Sequence, residues 1–302
     1  MTPRLMVLGS ANVDLFARVQ RHPRPGETLL GTGERAGGGK GANQALAAAL
    51  QGAPVSFVGA VGDDPDAQTA VAALREAGVD LGGLRTVAGT PTGFAVITVA
   101  ADGENTIVVV PGANATVSPD DARAAVATMG PSDLLLMQGE LPREATEAAV
   151  REARAGGRRV VLNVAPWTAL ARDVLTAADP LVLNEHEAAQ AAAELGLRPD
   201  GDDALGLARA LREAGTPSVV VTLGAQGAVL AGADREAHVP SPRVDAVDTT
   251  GAGDAFTGAM AARLLAGDDL EPSVRHATGV GAYAVQRPGA QPSYPRREEQ
   301  LP

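Results

Sequence analysis

Two short segments of this 302-residue chain carry residue types suited to phosphoryl-group chemistry. In AGGGKGANQALAAAL (36–50), glycines lead to Lys40 and then to an Ala-rich stretch. Glycines let backbone approach a ligand closely, the lysine supplies a point charge, and a helix starting near Gly41 offers unpaired N–H groups. A plain glycine loop would account for the glycines alone, but Lys40 is the only lysine in the chain. In VDTTGAGDAFTGAMAARLL (247–265), a Gly-Ala-Gly turn runs into an apolar helix. Backbone N–H groups at Gly251, Ala252 and Gly253 would face whatever sits over that helix end, an anion hole by construction. An isolated acid at Asp254 would serve the helix dipole, but the turn directly before it favours a catalytic carboxylate facing a phosphate.

Further polar residues stand just past apolar strand-like runs. Asn12 and Asp14 follow LMVLGS, Glu140 follows DLLLMQG, Asn184 and Glu187 follow PLVL, and Thr222–Gly224 close SVVVTLG. Each alone would serve as a cap or turn residue. Four such strand ends together predict one long cleft, because open α/β sheets bind ligands beyond the carboxyl ends of their strands. Two tempting motifs fail. Gly31-Thr-Gly33-Glu-Arg-Ala36 matches a dinucleotide fingerprint, but more glycines follow where its helix should start. Lys40 is followed by Gly41 instead of Ser or Thr, so it is not a P-loop lysine. His22, His186, His238 and His276 lack metal-ligand spacing and read as structural or surface residues.

The elements that must position these groups alternate. Compact apolar runs at 5–10, 55–61, 133–138, 159–165, 180–184 and 218–224 read as strands; 41–51, 66–77, 119–129, 143–156 and 202–214 read as amphipathic helices. Runs apolar on both faces need helices on both sides, so the expectation is an α/β fold with a doubly wound, mostly parallel sheet. Residues 12–36 and 92–110 break the pattern as strand-rich segments, the second with a DG turn suited to a hairpin. A shorter hairpin pattern follows at 225–239. Strands without partner helices suggest a small sheet set apart as a lid.

Composition bounds the function classes. With 25 Lys+Arg against 36 Asp+Glu the formal net charge is −11, which argues against broad affinity for nucleic acid or an anionic membrane surface. The absence of cysteine excludes disulfides, thiolate catalysis and cysteine-ligated metal, and fits a reducing cytoplasm. No signal-type apolar region opens the chain, and no stretch is long enough to span a bilayer.

The chain resembles the ribokinase/PfkB-type sugar kinases from GSANVD near its start to GAQPSYP near its end. AGGGKGANQA and DTTGAGDAF look like that family's two signatures, with MQGELP, LNVAP, LNEHEA and TLGAQG between them in the family's order. The closing RPGAQPSYP is similar to the ribokinase branch. The resemblance implies one kinase domain over 1–302, a three-layer αβα sandwich with a β-lid from about 12–36 and 92–110, and transfer of the ATP γ-phosphoryl to the 5-hydroxyl of D-ribose. Sibling acceptors would be deoxyribose, a ketohexose, a keto-deoxy sugar acid or a nucleoside; a non-catalytic sugar-binding regulator is the reading from another class. Carried over by motif, Asn12, Asp14, Gly39, Lys40, Asn43 and Glu140 would hold the sugar, and Asp254 would accept its hydroxyl proton. Backbone N–H groups at Gly251, Ala252, Gly253 and Asp254 would stabilise the transferring phosphoryl. Asn184 and Glu187 would support the phosphates and, through water, Mg²⁺; Thr222, Gly224, Gly227 and Gly253 would line the nucleotide, with Thr278 near the adenine unless a two-residue shift puts His276 there. Asp248, Thr250, Ala284, Arg287, Gly289 and Ser293 would hold an activating monovalent cation, usually K⁺. Position 251 would accept Ala or Gly, and the lids of two subunits would pack together in a cytoplasmic homodimer.

Overall fold

A computed structural model describes residues 2–199 and 203–302. The chain opens with β1 (Leu5–Leu8), then crosses into two lid strands, β2 (Asn12–Arg18) and β3 (Thr32–Gly38), before α1 (Lys40–Leu50). Next come β4 (Val55–Gly62), α2 (Asp66–Glu76) and β5 (Asp80–Val87), followed by the second lid pair, β6 (Gly93–Val99) and β7 (Asn105–Val110). The second half runs α3 (Pro119–Ala127), β8 (Leu134–Gln138), α4 (Arg143–Ala155), β9 (Arg159–Asn163), α5 (Arg172–Leu175), β10 (Leu181–Asn184), α6 (Glu185–Glu194) and α7 (Ala204–Glu213). It ends with β11 (Val219–Thr222), β12 (Ala228–Ala231), β13 (Glu236–Val239), α8 (Ala252–Leu265) and α9 (Leu270–Ala284).

Among the described residues, nine strands form one sheet in the order β13-β12-β11-β10-β9-β8-β1-β4-β5, parallel from β11 to β5. Alternation along β1 shows how both faces are covered. Leu5 and Val7 enter a core with residues of α1, α2, α8 and α9, while Met6 and Leu8 enter another with residues of α3, α4, α6 and α7. This is the helix–sheet–helix layering expected of strands apolar on both faces. The smaller sheet, β3-β2-β6-β7, is the lid; β2 and β6 run parallel and β6–β7 is the hairpin anticipated over 92–110.

Three elements depart from the sequence expectation. The 225–239 hairpin does not stand apart: β12 pairs antiparallel with β11 and extends the main sheet, because that edge offers unpaired backbone groups and buries Val229 and Val239. The strand β5 was not anticipated, since DLGGLRTV carries two adjacent glycines and a mostly solvent-facing pattern at the other sheet edge. The helix expected over 202–214 covers Ala204–Glu213 with Asp203 as its cap; position 202 lies outside the described residues.

Parallel strands place every carboxyl end on one side of the sheet. The loops after β1, β8, β9, β10 and β11, and the N-termini of α1 and α8, therefore meet there, beneath the lid.

Candidate active site

The α8 N-terminus forms the floor. Its cap, Gly251, has φ +71°, a left-handed conformation that disfavours any side chain. A Cβ there would also lie 2.5 Å from Ala290 Cβ and 2.6 Å from the Tyr294 hydroxyl. The expectation that position 251 takes Ala as readily as Gly is thereby corrected for this chain. The Ala252 N–H donates to the Thr249 carbonyl at 3.2 Å, so Ala252 drops out of the anticipated anion hole. Helix geometry leaves the N–H groups of Gly253 and Asp254 without intrahelical acceptors, and a Cβ on Gly253 would project into open space.

Asp254 sits in the first turn of α8 with only 6% of its surface exposed. Its Oδ2 accepts from Asn43 Nδ2 at 3.0 Å and its Oδ1 from Gln44 Nε2 at 2.9 Å. Both amides come from the first turns of α1, which packs against α8. Charge-assisted bonds to each oxygen of one carboxylate fix its plane as well as its position.

Lys40, partly buried at the start of α1, is surrounded by carboxylates. Asp254 does most to raise its pKa, burial opposes this, and Glu140, Glu187 and Asp14 add to the rise. Glu140 is fixed from two sides at once: its Oε2 accepts from the Ser10 hydroxyl at 2.5 Å and from the Lys40 backbone N–H at 2.9 Å. Asp14 on β2 brings the lid to the same centre. Burial, then Glu140 and Asp254, push its carboxyl up to about 6, against a pull from Lys40. It leans over Gly38 on the neighbouring strand, where any Cβ would lie 2.3 Å from its Oδ2. Asn12 is held by Asn114, whose Nδ2 donates to Asn12 Oδ1 at 2.8 Å. A cavity of about 360 Å³ beside these residues is lined by Ser10, Asn12, Asn114, Glu140 and the lid residue Val109, among others.

On the other flank, Asn184 and Glu187 form a capping box at the start of α6: Asn184 N–H donates to Glu187 Oε2 at 2.9 Å and Glu187 N–H to Asn184 Oδ1 at 2.8 Å. Glu187 is buried, and that burial raises its pKa against the bond from Asn184 and the attraction of Lys40. Thr222 lies in register with Asn184, and the turn carrying Gly224 and Gly227 follows it. Thr278 does not present a free hydroxyl. It is buried in α9 and donates to the Arg275 carbonyl at 2.7 Å, so its hydroxyl could serve a base only as an acceptor. His276 is not the alternative, because it bonds Gln51 at the far end of α1, about 16 Å along the helix from Lys40.

The proposed cation residues are brought partly together. Asp248 accepts from Thr250 N–H at 2.9 Å and Gly289 N–H at 2.8 Å; burial raises its pKa, but these bonds outweigh it and hold the carboxyl below its ordinary value. The Ala284 carbonyl accepts from Arg287 N–H at 3.1 Å, and Ser293 turns its hydroxyl to Ala290 at 2.7 Å. Ser10, Gln44, Asn114, Gln138, Asn163 and Gln291 were not anticipated as site residues. The signal available for them was a polar side chain within or at the end of an otherwise apolar run, as at Gln138 and Asn163.

A model of the pfkB family of carbohydrate kinases matches residues 2–297. The chain belongs to that family. It is 38% identical over 303 residues to a ribokinase of Haemophilus influenzae, covering 100% of this chain and 98% of that protein. A deoxyribokinase of Salmonella typhi is 36% identical, covering 98% and 96%. Among solved structures, an Arabidopsis thaliana ribokinase complexed with ribose and ATP superposes with a TM-score of 0.88 at 34% identity, covering 99% of this chain and 97% of that one. The αβα body of this chain carries a separate small sheet over the carboxyl ends of the strands.

Proposed function

We propose that this pfkB-family chain transfers the γ-phosphoryl of ATP to the 5-hydroxyl of D-ribose, giving ribose 5-phosphate and ADP. The observation that carries the chemistry is Asp254, a buried carboxylate gripped at both oxygens and seated on the helix end that would face the phosphoryl group. The substrate pair comes from similarity to the H. influenzae ribokinase and the Arabidopsis ribose–ATP complex. In the proposed step the sugar O–H bond breaks and its proton passes to Asp254. The sugar oxygen bonds to the γ-phosphorus as the bond to the ADP oxygen breaks. The free N–H groups of Gly253 and Asp254 meet the charge that develops on the phosphoryl oxygens. Lys40 faces the same centre.

Asn12, Asp14, Asn43 and Glu140 suit a polyol, whose hydroxyls need buried polar partners. Gly39 lets the loop between lid and α1 pass tightly beside them. Four carboxylates around one lysine would repel a triphosphate arriving without cations. Mg²⁺ on nucleotide phosphates keeps most of its water and needs only one or two protein carboxylates; Glu187 fits that part, and the metal would neutralise developing charge on the phosphates. Asn184, Thr222, Gly224 and Gly227 would border the nucleotide. K⁺ would sit at Asp248, whose lowered pKa keeps it charged, with carbonyl oxygens from 250, 284, 287 and 289 and Ser293 nearby.

The whole of 1–302 is read as one kinase domain with its lid. The lid shows Val96 and Val108, paired across β6 and β7 on one face, to solvent at 40% and 63% exposure, an apolar patch of the kind covered in assemblies; a second copy's lid is the proposed cover. No helix among the described residues is long and apolar enough to cross a membrane, and a cytoplasmic site of action is proposed. Deoxyribose is the second reading, because the Salmonella deoxyribokinase is nearly as similar as the ribokinases. ADP release from Mg·ATP with K⁺ present, compared across ribose, deoxyribose, fructose, 2-keto-3-deoxygluconate and adenosine, tests both. The largest kcat/KM is expected with ribose; a larger value with deoxyribose would select the second reading, and a larger value with another acceptor would overturn both.

A further inference from the structure

Asp254 is held by a chain of neutral amides that reaches back through the sheet. Asn163, at the carboxyl end of β9, donates from Nδ2 to the backbone carbonyl of Val182 at 3.0 Å. A backbone carbonyl can only accept, so this bond settles which way the Asn163 amide points. Its Oδ1 is then turned toward Gln44 and accepts from Gln44 Nε2 at 2.9 Å. Gln138, at the end of β8, donates to Gln44 Oε1 at 2.9 Å. With its oxygen taken by Gln138 and one N–H by Asn163, Gln44 has one N–H left, and Asp254 Oδ1 receives it. On the other side the carboxylate, which only accepts, sets the direction: Asn43 presents its NH₂ to Asp254 Oδ2 at 3.0 Å and its Oδ1 accepts from Gln291 Nε2 at 3.0 Å. Gln44 is fully buried, with Gln138 and Asn163 under 9% exposed.

From this we infer that Gln44 is a positioning residue for the phosphoryl transfer, its amide oriented by Asn163 so that Asp254 receives a donor from the protein side and exchanges its proton only toward the cleft. A flipped Gln44 would set its oxygen against both Asp254 Oδ1 and Asn163 Oδ1; Gln138, whose own Oε1 has no partner, adapts to Gln44 without fixing it. Amide side chains neither release nor take up a proton near neutral pH. The buried side of Asp254 therefore supports its geometry without offering a competing proton source. The role rests on the sugar-kinase reading above, and nothing in it requires Gln44 to touch the sugar.

The test is a kinetic double-mutant cycle of Gln44→Met with Asp254→Asn, using kcat with Mg·ATP and ribose KM, and the melting temperature of each variant. Gln44→Met alone is expected to lower kcat by about 10- to 50-fold with ribose KM within threefold, in line with losing the alignment of a reacting pair. In the Asp254→Asn background the same change is expected to alter the residual rate by less than twofold, because the residue it serves is gone. Asn163→Leu serves where Gln44→Met does not fold. It leaves Gln44 in place but frees its amide, and a severalfold loss of kcat, again absent in the Asp254→Asn background, is expected. Wild-type kcat in Gln44→Met, an equal loss in both backgrounds, or a rise in ribose KM at constant kcat would overturn the inference. Wild-type turnover of ribose, measured alongside, tests the functional reading separately. An additive cycle in an enzyme that phosphorylates ribose rejects only the positioning role.

Discussion

Replacing Asp14 by asparagine should make the sugar-free protein more stable while weakening its hold on ribose. The carboxyl is pushed from its ordinary 3.8 up to about 6, chiefly by burial and secondarily by Glu140 and Asp254. For an acid whose pKa is raised on folding, the cost is absent below about 3.8, grows between 3.8 and about 6, and is constant above that. At about 1.4 kcal/mol per pH unit, keeping Asp14 ionised at pH 8 costs the folded state up to about 3 kcal/mol. Asp14 keeps some solvent contact, so Asp14→Asn should recover about 1–3 kcal/mol at pH 8. At pH 5 the wild-type group is already largely protonated when folded, and the gain should fall to about half. Urea unfolding of both proteins at the two pH values, without sugar, reads this directly, and calorimetry reads ribose affinity. Losing a charge-assisted bond to a hydroxyl should weaken ribose binding by roughly 10- to 100-fold. A variant no more stable than wild type at pH 8, or one whose advantage is the same at both pH values, would refute the reasoning.

Other consequences follow from the same geometry. Lys40→Met leaves Asp14, Glu140, Glu187 and Asp254 without their shared cation. It should cost about 3 kcal/mol or more of stability and lower kcat/KM at least tenfold, whereas unchanged kinetics and unfolding midpoint would make Lys40 a bystander. Gly251→Ala meets a positive φ and two contacts under 3 Å. A loss of about 2–4 kcal/mol is expected together with a fall in kcat, and a Tm within a degree of wild type would contradict the cap geometry. Turnover in K⁺ should exceed turnover in tetramethylammonium severalfold at equal ionic strength; equal rates would remove the cation from Asp248.

The catalytic end of the site was legible because its residue types have few other uses in such positions. A single lysine after three glycines, and an aspartate directly behind a Gly-Ala-Gly turn, identify the N-termini of α1 and α8 without knowledge of the sheet. The doubly wound sheet was legible from runs such as LLLM and VVLN, apolar on both faces. What escaped was whatever depends on a distant partner. Asn163 and Gln138 look like ordinary strand ends until β8, β9 and α1 are side by side, and Gln44 looks like a surface position on an Ala-rich helix although it is fully buried. The placement of β12–β13 depends on which edge β11 leaves open, which local periodicity does not encode. At Gly251 the motif alone allowed a methyl group; the approach of Ala290 and Tyr294 from the C-terminal segment, about 40 residues on, removes that freedom.

Asp254 as the acceptor of the sugar's proton is the claim on which the rest depends, and Asp254→Asn tests it with the least change in shape. The measurement is kcat for ADP formation with ribose and Mg·ATP, with ribose affinity of the same variant determined by calorimetry. A fall in kcat of two or more orders of magnitude, with ribose still bound within about tenfold of wild type, is the expected result. A variant that retains near-normal kcat would contradict the assignment of Asp254 and, with it, the account of how this site transfers a phosphoryl group.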